Sequence, residues 1–142
     1  MEIPLKIAVD FDGTIVEHRY PAIGKEVLFA FDTLRALQKQ KHLLVLWTYR
    51  SGKELDEAVE YCRLKGIEFY AVNKSYPEEE FNEAYASRKI EADLFIDDRN
   101  IGGMLGWGEI YHLINPEGQP NERLELNSLP RQRSILQRLF GN

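Results

Sequence analysis

Two kinds of apolar pattern alternate along the chain. Near-continuous apolar runs at Leu5 to Phe11, Leu43 to Trp47, Ile67 to Val72 and Ala92 to Ile96 read as short strands buried on both sides. Between the first two, Val27, Ala30, Phe31, Leu34 and Leu37 recur at three- and four-residue steps, which gives a helix one apolar face. Ser51-Gly-Lys-Glu54 has the spacing of a capping box, and the helix it starts carries Leu55, Ala58, Val59 and Cys62 on one side, with Gly66 at a left-handed C-cap. Pro77 followed by Glu78, Glu79 and Glu80 predicts a further helix start. Residues 14–24 read as an irregular loop or small flap. Gly102, Gly103, Gly106 and Gly108 read as loop, Ile110 to Ile114 as a short fifth strand, and Pro116 to Asn127 as turns. The pattern of Ile135, Leu136, Leu139 and Phe140 predicts a C-terminal helix over 128–142.

Strands alternating with helices predict an α/β fold: a parallel sheet with helices on both faces. The 142 residues suit one domain over 1–142, with no internal repeat, low-complexity tract or linker. The net charge of −5 comes with no basic stripe, which disfavours binding of long polyanions by charge alone but leaves nucleic acid open. The single Cys62 allows no internal disulfide and suits a reducing compartment. The opening MEIPLKIAVD lacks an apolar signal core, and the longest apolar run falls far short of the ~18 residues of a membrane span. A cytoplasmic location without membrane association is the expectation.

In parallel sheets, ligands sit beyond the carboxyl ends of the strands. Asp10, Asp12, Gly13 and Thr14 follow the first strand, Thr48 and Arg50 the second, Asn73 and Lys74 the third, and Asp97 and Asp98 the fourth. Asp10, Asp12, Asp97 and Asp98 would gather up to four carboxylates, which cannot all stay ionised without compensation. Mg²⁺ suits that need, because it works with few carboxylates and bridges phosphate oxygens. One carboxylate can attack phosphorus while a second, two residues away, transfers protons. Thr48 offers a hydroxyl and a backbone N–H to a phosphoryl oxygen, and Lys89 a positive charge.

Asp10-Phe-Asp-Gly-Thr14 after a buried strand resembles the first motif of the haloacid dehalogenase-like (HAD) phosphohydrolase superfamily. The resemblance continues through Thr48, Lys89 and Asp97-Asp98, in family order, over about two thirds of the chain. It implies a three-layer Rossmann-like fold and a Mg²⁺-dependent phosphatase that forms an aspartyl-phosphate. Asp10 would be the nucleophile and a metal ligand. Asp12 would be the general acid/base, its carbonyl also on the metal. Thr48 would hold the phosphoryl group, and Lys89, preferred over Lys74, would neutralise it. Asp97 would ligate the metal, with Asp98 ligating directly, through water, or orienting its neighbours. The intervals from Asp12 to Thr48 and from Thr48 to Lys89 leave no room for an inserted cap, so the chain resembles capless members. Such relatives often take large substrates or complete the site by oligomerising. Gly13 and Thr14 are candidate substrate contacts. His18, Arg19 and Tyr20 of the flap, with Arg50, are candidates for the leaving group.

The expected substrate is a small phosphate ester or a phosphorylated macromolecule. Two other classes remain: a receiver-like phospho-signalling module, and a catalytically idle scaffold. Asp12 discriminates the first, since an acid/base beside the nucleophile favours hydrolysis over a long-lived phosphoryl group. Cys62, Trp47 and Trp107 read as packing residues, and His18, His42 and His112 are too dispersed for a zinc site. Arg131, Arg133 and Arg138 lie opposite the apolar side of the terminal helix, which leaves a homodimer contact open.

Overall fold

The computed structural model describes residues 3–116. Strands β1 (Lys6–Val9), β2 (Leu43–Leu46), β3 (Ala71–Val72) and β4 (Leu94–Ile96) form one sheet in the order β3-β2-β1-β4, and every pair is parallel. Helices α1 (Ala30–Lys39), α2 (Gly52–Leu64) and α3 (Trp107–Ile114) complete the described elements. The chain is an α/β protein.

Alternation along the strands divides the core. Ile7 and Val9 of β1 and Leu44 and Leu46 of β2 join Ile96 in one buried cluster with residues of all three helices. Ala8, Val45 and Ala71 point the other way, onto Ile90 of the β3–β4 connection. Parallel crossovers are right-handed. The path β1-α1-β2-α2-β3 therefore lays both helices on one face, and the return past β1 to β4 crosses the opposite face. That connection, residues 73–93, is irregular, so among the described residues the second face is covered by loop rather than helix.

The helix predicted from Pro77 is absent for that reason. A helix draws its stability from burying an apolar stripe, and Phe81 and Tyr85 are exposed. Turns form instead, with the Glu79 N–H on the Tyr76 carbonyl at 3.1 Å and the Ser75 N–H on the Glu79 carboxylate at 3.1 Å. The fifth strand predicted at Ile110 to Ile114 is α3. Trp107, Ile110 and Ile114 recur at helical spacing and are all buried, and Gly106 is the N-cap of that helix. The Ser51 capping box does not form: Ser51 makes no side-chain cap bond, and Gly52 at φ 55° turns the first residue of α2 out of the regular geometry a box requires. Gly66 does terminate α2, at φ 88°, with the Ile67 N–H returning to the Cys62 carbonyl at 2.9 Å. Cys62 is buried and its thiol is pushed up to about 12 by burial, which makes it inert core. The predicted helix 128–142 lies outside the described residues. No described helix is long and apolar enough to cross a membrane.

Candidate acidic site at the sheet edge

The direction of winding reverses between β1 and β4, which makes their carboxyl ends the switch point of the sheet. Pairing carries the register past the strands: the Asp10 N–H donates to the Ile96 carbonyl, the Trp47 N–H to Val9 and the Asn73 N–H to Leu46. Asp10 and Asp97 thus stand side by side as the first residues beyond the paired rows.

Asp10, Asp97 and Asp98 form one half-buried cluster, each offering a carboxylate oxygen within 4.8 Å of the others. Thr14, fully buried, holds it together. Its hydroxyl donates to Asp10 Oδ2 at 3.0 Å, lies 3.3 Å from Asp98 Oδ1, and accepts the Asp98 backbone N–H at 3.1 Å. Asp98 also packs on Gly13. That residue sits at φ 84°, and a β-carbon there would lie 2.8 Å from the Asp98 carboxyl carbon, so only glycine suits both the backbone and the approach. Asp97 caps its own turn, its Oδ1 accepting the Arg99 N–H at 2.9 Å.

Crowding has an electrostatic consequence. Burial, the hydrogen bond with Asp98 and the charge of Asp97 push the Asp10 carboxyl up from 3.8 to about 7, against the opposing pull of Thr14. Asp98 moves down. Burial opposes its ionisation, but hydrogen bonding with Asp10, Asp97 and Thr14 outweighs it. Between about pH 4 and pH 7 the metal-free folded chain therefore binds more protons at Asp10 than the unfolded chain does, so that group makes folding less favourable as pH rises. Urea unfolding in a chelator should show wild-type stability falling from about pH 4 to about pH 7 relative to Asp10→Asn. An unchanging difference between the two proteins would refute the raised value.

Asp12 departs from the expected carboxylate quartet. Its carboxylate turns to Arg50, whose Nε donates to Oδ2 at 2.7 Å and Nη2 to Oδ1 at 2.8 Å. Arg50, expected as a leaving-group contact, is 1% exposed, and its remaining N–H groups go to the carbonyls of Pro21, Ala22 and Glu54. With all five donors used, none is left for a substrate in this arrangement. The 14–24 segment, expected as a loop or small flap, holds no regular strand or helix and buries Thr14, Ile15 and Val16: Val16 bridges to Asp12 and to Glu26, the Glu17 N–H donates to the Lys25 carbonyl at 2.7 Å, and the Tyr20–Pro21 bond is cis. His18, Arg19 and Tyr20 are exposed on it.

Thr48 is half-buried at the end of β2. Its hydroxyl accepts the Arg50 N–H at 3.1 Å and keeps its own proton to donate. Its backbone N–H, expected to face a phosphoryl group, instead donates to Asn73 Oδ1 at 2.8 Å. Asn73 adopts φ 56°, which Asn tolerates better than most residues; its place after a strand was the signal for a role it did not receive from the sequence. Lys89 is exposed, its ammonium 5.8 Å from the Phe95 ring centre and in no ion pair with Asp10; Lys74 is half-buried after β3.

Fold and site together define an α/β protein with a cluster of three carboxylates at the switch point of a parallel sheet. No family model and no curated protein matches the chain. Among solved structures it is similar to a conserved protein from Bacteroides thetaiotaomicron, at 59% identity over 81% of this chain and 93% of that one, with a TM-score of 0.75. The chain belongs to the same family as that conserved protein.

Proposed function

We propose that the protein is a capless, three-layer HAD-like phosphatase that hydrolyses phosphate monoesters with Mg²⁺. The observation that carries this reading is the convergence of Asp10, Asp97 and Asp98 across the switch point, with Asp10 strained toward protonation by its neighbours. Three hard oxygen donors so close, with no cation paired to them among the described residues, form a set that suits a small dication. Asp10, Asp97, Asp98 and the Asp12 carbonyl would hold it. Once bound, it supplies charge neutralisation between Asp10 and the phosphoryl oxygens.

The chemistry of the chain's own groups follows. An Asp10 carboxylate oxygen attacks phosphorus as the bond to the leaving oxygen breaks, and that oxygen takes a proton from Asp12. Water then attacks the aspartyl-phosphate and returns its proton to Asp12, and inorganic phosphate departs with Asp10 regenerated. The Thr48 hydroxyl donates to a phosphoryl oxygen. Lys89 is the cation of the set by resemblance, and from over Phe95 it has to swing toward Asp10 to act.

The test is phosphate release from an aryl phosphate, a sugar phosphate, a nucleotide, a 5′-phosphorylated oligonucleotide and a phosphopeptide, in Mg²⁺ and in chelator. Release that requires Mg²⁺ is the expected result. An acid-quenched phosphoenzyme that persists for minutes without release supports the phospho-signalling reading instead, and silence across the panel supports the idle scaffold.

A further inference from the structure

We propose that Arg50 is a positioning residue that acts through Asp12, setting the acid/base carboxylate and the flap in one rigid unit; the proposal rests on the phosphatase reading above. Arg50 is among the largest fully buried side chains of the described residues. Its ion pair with Asp12 has side-chain exposures of 0% and 13%, whereas every other described ion pair is far more exposed. Burying a guanidinium is costly unless every donor and the charge are met. Here both are, which makes the site a built one rather than a surface pair.

The geometry assigns the role. The fork takes one oxygen of Asp12 on Nε and the other on Nη2, which fixes the plane of the carboxylate while leaving each oxygen lone-pair capacity for a substrate or water. The Pro21 and Ala22 carbonyls sit on the same guanidinium, whose carbon lies 5.0 Å from the Phe11 ring centre and 5.2 Å from the Tyr20 ring centre. Its backbone N–H meets the Thr48 hydroxyl. One residue thus joins the end of β2, the acid/base and the flap. Lysine cannot reproduce this, because a point ammonium makes no two-pronged contact and does not stack on a ring as a planar guanidinium does.

Kinetics of Arg50→Lys, Asp12→Asn and the double variant on an aryl phosphate in Mg²⁺ test the assignment. Arg50→Lys should lose about 30-fold or more in kcat, while KM changes by less than about 3-fold, since proton transfer by a positioned group contributes about 100-fold or more. In the Asp12→Asn background the same change should cost less than about 2-fold, because the group it positions is already gone. Added guanidinium should restore Arg50→Ala by about 10-fold or more, and methylammonium at equal concentration should not.

Several results overturn the proposal: wild-type kcat in Arg50→Lys, a loss confined to KM, equal losses in both backgrounds, or equal rescue by the two cations. Failure of Arg50→Lys to fold even in the cold also counts against it and leaves Arg50 a purely structural residue. Absence of Mg²⁺-dependent release from the wild-type chain sinks the phosphatase reading itself. An active wild type with an unaffected Arg50→Lys sinks only this inference.

Discussion

Asp10→Asn is expected to cut Mg²⁺-dependent phosphate release by at least about 1,000-fold with the fold intact. The substitution keeps the shape of the side chain and removes its nucleophilic oxygen pair. An amide also cannot serve as an anionic ligand beside Asp97 and Asp98. Loss of structure is not the expected cause, since Asp10 is the group whose ionisation the cluster opposes. A neutral side chain there removes repulsion above about pH 7 and should leave the variant at least as stable as wild type. Rate and stability should therefore move in opposite directions, which separates a chemical defect from a folding one. Initial rates and urea midpoints on one preparation check both. A variant that keeps a tenth or more of the rate would remove Asp10 as the nucleophile.

Trp107→Ala should destabilise the protein by about 3–5 kcal/mol, a large share of what a single domain has. The indole is 1% exposed and fills the space among α1, α3 and the loop after β1. Its N–H donates to the Thr14 carbonyl at 2.9 Å, and the backbone carbonyl of Trp107 lies 3.5 Å from the Thr33 hydroxyl. Truncation leaves a cavity and an unpaired buried carbonyl at once. Trp107→Phe separates the terms, since it keeps most of the ring volume and should cost about 1–3 kcal/mol for the lost bond. The Thr14 hydroxyl holds Asp10 and Asp98, so the Mg²⁺-dependent phosphate release proposed above should fall in Trp107→Ala even at temperatures where the protein remains folded. A change of less than about 1 kcal/mol on urea unfolding would show that α3 does not support that loop.

Much of the fold was legible because its signals are local. Runs such as Leu43-Leu-Val-Leu46 leave no polar face, so they announce strands covered on both sides. The stripe through Ala30, Phe31, Leu34 and Leu37 is the face that α1 buries. Errors arose where local chemistry and burial disagreed. Pro77 and the three glutamates have the composition of a helix start, but the residues that follow have nothing to bury against. The glycines around Trp107 read as loop, Gly108 of α3 among them, and hid the helical spacing of Trp107, Ile110 and Ile114. Ser51 has the right neighbour for a capping box and the wrong backbone after it.

The candidate site was legible as a list and not as an arrangement. Asp10, Asp12, Thr48, Asp97 and Asp98 could be picked out because each follows a strand, and strand ends on one edge of a parallel sheet are where side chains converge. Sequence alone thus determined the α/β class, the strands that build the edge and the residues that stand on it. Which of those residues meet was decided only by the tertiary structure. Asp98 is joined to Thr14 and Asp12 to Arg50 across 84 and 38 positions of chain, and the strand order between them sets those contacts. A carboxylate's neighbours, and hence its charge state, depend on distances of a few ångströms between segments remote in sequence, and Coulomb energy falls off over that same scale. No local pattern carries that information, which is why three acids gathered at the switch point while the fourth was claimed by an arginine.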